Sequence, residues 1–360
     1  MNVADARGLT FECQPGCGFC CTATPLVLAQ EAGALGALVT RAADGTLRIP
    51  LRAHACSALR EDRACGVYEA RPNVCRLYPY QVHAGRRIQA TVTFACPGIF
   101  EAGPGEPAET GAQRAVALAL AQPGAQESAA RAKGTYTELD RRMKEWGVMA
   151  SPDRLRAAFL PHADALAQPG ALPAVFASLE PGDLVIEGDA ARSVAPLFEG
   201  DAGDSDVSEL FAQGADEAFD EPQTVIWVEP DFAWTRAASS GGVVKLMRTG
   251  RPDWDADARE LPTDLTLPAT RLVSRYLARL MHRDQTEGAA LWLVDASGYQ
   301  ATPAAAFARV LAEASLQVAL RAALFAAEEG LDEVGPAHAR RGIAAYETAY
   351  HSLPTMGSVL

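Results

Sequence analysis

The chain has 360 residues, 49% of them hydrophobic and 21% charged, which is enough apolar material for one large or two smaller folded units. Its formal net charge of −13 gives an acidic average surface that repels nucleic acid and anionic lipid, so neither is expected as a partner. The longest apolar stretch, Ala301 to Ala327, is broken by Arg309, Glu313, Gln317 and Arg321, so no membrane span is expected; Met1 to Thr10 lacks a basic region followed by an apolar run, so no secretory signal is expected and a cytoplasmic location follows.

In chain order, the apolar spacing of Leu28, Leu35 and Leu38 predicts a short amphipathic helix over 26–39, and the alternation from Arg87 to Phe94 predicts a strand. Residues 101–111 are rich in Gly, Pro and Glu and read as a linker. Helices are expected over 113–122 and 126–146, and a third from an N-cap at Ser151, with Pro152 in the first turn, to about Ala167. The acidic, Gly-punctuated stretch 199–222 reads as an exposed loop or weak helix; its ligand spacing does not match a calcium loop. A β-meander follows over 224–229, 232–237 and 243–248, with Ser239-Ser240-Gly241-Gly242 as a turn. A helix over 271–283 puts Arg271, Arg275, Arg279 and Arg283 on one edge, either a solvated face or a docking face for an acidic partner. A short strand is expected at 291–294, then a long Ala-rich helix from Pro303 to Glu329 closed by Gly330, and a last helix over 336–351. Trp227, Trp234, Tyr276 and Trp292 are expected in the core. The fold class is α+β, divided as a cysteine-rich unit over 1–105, a helical segment over 106–175 and an α+β unit over 176–360.

All eight cysteines lie between residues 13 and 96, a placement with a random chance on the order of 10⁻⁵, and clustering of this kind in a reducing compartment points to metal ligation rather than structural disulfides. The candidate ligands are Cys13, Cys17, Cys20, Cys21, Cys56, Cys65, Cys75 and Cys96. The first four could share one face of a helix, but Pro15, Gly16 and Gly18 oppose one, so a tight loop is expected. Glycine there permits positive φ and brings backbone N–H groups close to thiolate sulfur. The adjacent pair Cys20 and Cys21 is expected to point in divergent directions, which suits more than one metal ion. Neither His54 nor His83, the latter in a predicted turn, has the position of a ligand.

Residues 41–96 carry nine arginines against four acids, a local net of +5 in an acidic chain. Guanidinium groups beside thiolates would stabilise a tetrathiolate zinc site or a cubane (4Fe-4S) cluster, and Arg71 and Arg76, which flank Cys75, are the candidates to support the cofactor. Spacing alone leaves zinc and iron–sulfur both open; the double cysteine and the total of eight favour iron–sulfur, while two four-thiolate zinc sites fit the count equally.

The Cys-x3-Cys-x2-Cys-Cys start, the segment from Cys65 through Tyr68, Arg71-Pro72, Cys75-Arg76 and Tyr78-Pro79, and the late Cys96-Pro97-Gly98 resemble the YkgJ-like cysteine-cluster family of zinc- or iron-chelating proteins, over residues 11–100. Flagellin lysine N-methylases look similar in the same region, with a double cysteine near the start and a later Cys-Arg-x-aromatic-Pro. The spacing of Cys13, Cys17 and Cys20 also occurs in radical S-adenosylmethionine enzymes, but the alternating βα pattern of their barrel is missing. No phosphate-binding loop, Gly-x-Ser-x-Gly elbow or His-Glu-x-x-His helix is present, and no catalytic residue is identified. Two readings follow: a metalloprotein that is redox-active or protein-modifying in the manner of a methylase, or a non-enzymatic module whose zinc sites hold a surface for a protein partner.

Overall fold

The structure is a computed structural model that describes residues 3–22, 24–52, 55–101, 103–145, 151–179, 194–199, 206–219, 224–228, 234–298, 300–350 and 355–360. The fold is α+β, and the helices gather around one long apolar rod, Pro303–Glu328. Thr302 caps that helix by accepting from the Ala305 N–H, Pro303 opens it, and Gly330 follows its end with φ of 73°. By length and composition it could cross a membrane, yet 83% of its most apolar stretch is buried against other helices, as expected of a core helix. It packs on Pro336–Tyr350 and on Asp284–Ala296, while Val207–Ala218 and Leu172–Ala177 cover other sides.

The predicted meander forms with strands Thr224–Val228, Trp234–Ser240 and Val243–Arg248, extended by a fourth strand, Trp254–Asp257, in simple antiparallel order. Its turn sits at Gly241-Gly242, as the sequence indicates. The acidic stretch is a helix over Val207–Ala218, started by Asp206, which accepts from the Ser208 N–H; its ends lie outside the described residues. Asp216 on this helix also binds Ser239 Oγ at 2.6 Å and the Gly242 N–H, tying the helix to the hairpin.

Four expectations change. Residues 26–39 are a strand, Leu26–Val27, followed by a four-residue helix, Ala32–Leu35, and a 3-10 turn; Glu31 uses its carboxylate to accept from the Leu28 N–H at 2.8 Å, and Gly36 at φ 54° stops the helix. The expected linker 101–111 is structured, because Ile99–Glu101 and Glu106–Pro107 both pair with Leu9–Phe11 before the helix Ala108–Leu120 begins. The expected strand 291–294 is part of the helix Asp284–Ala296; a four-residue apolar run reads alike in a buried helix and a strand. The helix started at Pro152 ends at Phe159 and continues as a 3-10 turn and a short helix to Leu166, without a side-chain cap from Ser151. Tyr276 is core, whereas Trp292 is exposed; the side chain of Trp227 lies outside the described residues.

Four small sheets among the described residues carry the N-terminal unit. The strands Tyr80–Ala84 and Ile88–Val92 form a hairpin, to which Ser358–Val359 adds, with Ala108–Leu120 packed across it. Polar seams join this hairpin to the C-terminal helices. Arg86 binds Glu287 at 2.6 Å and also Asp140; Arg87 binds Asp284 at 3.1 Å; Gln89 donates to the His282 carbonyl and accepts from the Asp284 N–H. The predicted arginine edge is divided: Arg271 and Arg275 are exposed, as a solvated face would be, whereas Arg279 and Arg283 turn into this seam. Arg275 pairs with Glu101, Arg279 donates to the Asp5 carbonyl, and fully buried Arg283 binds Glu347 at 2.8 Å, Asp5 at 3.3 Å and the Val92 carbonyl at 2.9 Å.

Candidate metal centre

The segment that bears the first four cysteines is a loop, as its glycines and proline require. Gly16 and Gly18 adopt φ of 70° and 59°, and the chain then tightens into a 3-10 turn over Phe19–Thr22. The Cys17 N–H binds the Gln14 carbonyl, the Cys21 N–H binds the Gly18 carbonyl, and the Phe19 N–H points at the Cys17 sulfur at 3.4 Å. Two more cysteines take the same local contact. The Ala58 N–H faces the Cys56 sulfur and the Gly98 N–H faces the Cys96 sulfur, each two residues beyond its cysteine. Repetition of this N–H-to-sulfur turn on three separate loops is the backbone arrangement that stabilises negative charge on thiolates.

The other cysteines come from short, tightly tied pieces. Cys56 ends the strand Ala55–Cys56, and Cys65 follows in a narrow loop closed by the Leu59–Cys65 bridge. Cys75 sits in the helix Asn73–Leu77, whose first N–H is held by Glu31 at 2.8 Å. Since Glu31 also accepts from Leu28, one carboxylate fixes this helix to the turn after the strand Leu26–Val27. Cys96 occupies the turn after Ile88–Val92, where Gly98 lies so close to the Glu12 backbone that a side chain at 98 would overlap the Glu12 carbonyl. That approach sets the last cysteine loop against the first.

All eight cysteines are free thiols, and Cys21, Cys56 and Cys96 are buried while Cys13 is exposed. Cys20 and Cys21 do not diverge as expected: the tight turn keeps the Cys21 thiol hydrogen-bonded to Cys20 and also to Cys56. Those two contacts, ahead of burial, hold the Cys21 proton and raise its pKa. The same hydrogen bond from Cys21 pulls Cys20 down to about 7 and Cys56 down to about 6, from an ordinary 9.0. Burial pushes Cys75 and Cys96 up to about 12 and raises Cys13 and Cys17. Electrostatic influence links Cys20 with Cys13, Cys17, Cys56, Cys75 and Cys96, and Cys65 with Cys13 and Cys75, so the eight sulfurs form one connected group. Gathering this many thiolates with no cation among them is unfavourable, and burial with mutual repulsion keeps most of them protonated.

Arg71 is the guanidinium that opposes the rise at Cys13 and Cys75 and favours the thiolate of Cys20; Arg63 does the same for Cys17. Arg71 also lies over the Tyr68 ring at 3.7 Å and donates to the Tyr68 carbonyl. Arg76 instead donates to the Arg71 and Glu69 carbonyls, clamping the turn before Cys75. Several of the remaining arginines in the basic stretch act elsewhere: Arg48 pairs with Asp44, Arg60 with Asp62, and Arg86 and Arg87 with the C-terminal helices.

Among the described residues, no three Cys, His, Asp or Glu side chains are already arranged as ligands of one metal ion. His54 lies outside the described residues, and His83 is buried in the strand Tyr80–Ala84 rather than in a turn. The donor set nevertheless suits a thiophilic metal, with soft sulfurs, N–H groups aimed at three of them and a nearby guanidinium. Sequence reasoning assigned no role to Tyr78, whose buried hydroxyl lies beside the Cys96 sulfur; burial, then the charge of Cys96, raises its pKa. The signal was present as an aromatic three residues after Cys75, next to Pro79.

Residues 12–97 match a family model, CxxCxxCC, described as "Putative zinc- or iron-chelating domain". The match supports the resemblance to the cysteine-cluster family and spans the loop system that carries all eight cysteines, from Cys13 to Cys96. No curated protein and no solved structure matches the chain, and the likeness to flagellin lysine N-methylases gains no support.

Proposed function

We propose that residues 12–97 chelate iron or zinc through their cysteine thiolates, and that the resident group is an iron–sulfur cluster. Cys20, Cys21 and Cys56 form the nucleus of the ligand set, and Cys13, Cys17, Cys65, Cys75 and Cys96 supply the remaining candidates. The single observation behind this reading is that eight free thiols, three of them faced by backbone N–H groups, are carried on one loop system, more sulfur than one tetrahedral zinc ion needs. When bound, such a cluster supplies electron transfer or an open iron for substrate. The chain's own part is to hold thiolates with backbone N–H groups and with Arg71, and to exclude water through the buried faces of Cys21, Cys56 and Cys96. A reducing compartment, as expected of the cytoplasm, fits eight free thiols.

A second reading has its own observation. The apolar cluster around Cys21 has only six fully buried members, Cys21, Val27, Leu35, Ile49, Cys56 and Ala58, so closed zinc sites would stabilise a small core and present a surface to a protein partner. Anaerobic purification separates the two. Broad visible absorption with stoichiometric iron and acid-labile sulfide supports the cluster; a colourless protein with about 2 zinc ions per chain overturns it in favour of the zinc module. Neither metal at significant occupancy overturns both.

A further inference from the structure

A second site lies far along the chain from the cysteines. The helices Val207–Ala218, Asp284–Ala296 and Pro303–Glu328 leave a cleft of about 560 Å³ between them, within the range of small-molecule pockets. Phe176, Leu210, Trp292 and Leu293 give it apolar walls, and Arg321 lies in its lining.

Arg321 is 3% exposed. Its Nη1 donates to the Gln317 carbonyl at 3.0 Å and to Gln317 Oε1, and Gln317 is itself fixed by donating to the Gly214 carbonyl at 3.0 Å. Nε is buried without an acceptor, and among the described residues no carboxylate pairs with this guanidinium. The rings of Phe219, 5.2 Å away, and Tyr346, 6.0 Å away, offer their faces to it. Burial lowers the Arg321 pKa to about 10, which still leaves it charged at neutral pH. A buried cation with no counter-charge among the described residues is costly to keep, and an anion bound in the cleft reduces that cost. By contrast Arg283, also fully buried, lies against two carboxylates, those of Asp5 and Glu347.

The geometry points to this cleft as a binding site for a small organic monoanion, a carboxylate with an apolar body: the carboxylate pairs with Arg321 and the body lies along Phe176, Trp292 and Leu293. Glu313 in the lining is paired with Arg309, whereas Glu217 has no partner among the described residues. That leftover negative charge disfavours a phosphate dianion and selects the singly charged ligand.

Calorimetric titration of the full-length protein with 4-phenylbutyrate and octanoate, against 4-phenylbutanol and octanol, tests the site. At least one acid is expected to bind saturably with one site per chain, its alcohol roughly tenfold or more weaker. Arg321→Met is expected to weaken the acid by roughly tenfold or more while melting no lower than the parent, because the substitution removes an unpaired buried charge. Glu217→Gln is expected to tighten acid binding, and it keeps the test decisive if Arg321→Met does not fold. Failure of both acids to bind up to millimolar concentration, equal binding of acid and alcohol, unchanged affinity in a folded Arg321→Met, or unchanged affinity in Glu217→Gln would each overturn the proposal.

Discussion

Cys21 lies against Cys20 and Cys56 and keeps its proton there, and what happens to that proton decides whether the loop can take up a cation. Contacts with Cys20 and Cys56 favour the protonated Cys21 thiol, so metal uptake must displace that proton, and an oxygen at the same position would offer a harder, poorer ligand. Cys21→Ser is therefore expected to lower bound metal by severalfold, measured by elemental analysis of the anaerobically purified protein, whereas Cys13→Ser at the exposed end should lose less. Equal metal content in parent and Cys21→Ser would remove Cys21 from the ligand set. His83 gives a pH-dependent counterpart away from the sulfurs. Burial lowers its pKa from 6.5 to about 4, and neither ring nitrogen has a hydrogen-bond partner. Its neutral form is the folded one, so its contribution is fully present above pH 6.5 and is lost as pH falls toward 4, where the unfolded chain takes up the proton first. Denaturant midpoints should report about 3 kcal/mol of lost stability across that window, and His83→Leu should flatten this part of the profile.

Among the elements, the helix pair Pro303–Glu328 and Pro336–Tyr350 is the closest contact of the C-terminal body, and Gly342 makes it possible. A Cβ at 342 would lie 2.6 Å from the Val318 carbonyl oxygen and 2.8 Å from Ala322 Cβ, both on the facing helix. Gly342→Ala is thus expected to destabilise by about 1–3 kcal/mol despite its better helix propensity, read as a lower thermal midpoint. An unchanged or higher midpoint would show that the two helices can part without cost. Long helices were legible from apolar periodicity and from Pro and Gly at their ends, because those signals are local. Residues 26–39 and 291–294 misled for a physical reason: few apolar positions fit several periods, and Glu31 and the buried helix bundle made the choice.

For the whole molecule, the polar seam makes the cysteine loops and the helical body one structure, and metal should matter unevenly across it. The body has its own extensive apolar core, while the loops around Cys21 have six fully buried side chains. Removing metal with a strong chelator is expected to open residues 12–97 to protease while leaving the helices from Pro303 to Tyr350 protected, followed by mass spectrometry of the fragments. Simultaneous loss of both regions would mean that the seam transmits the damage. Much of the candidate centre could be read before any fold was known. Clustered thiols, glycines that permit a tight loop and a fixed run of motif residues are properties of the chain itself, as was the α+β class. Which arginines face sulfur, that Cys21 lies against Cys56, that Tyr78 lies against Cys96, and that Arg321 is buried with no acid paired to it among the described residues depend on residues brought together from distant positions. Burial and pairwise electrostatics fall off within a few ångströms in space, so only the tertiary structure could assign them.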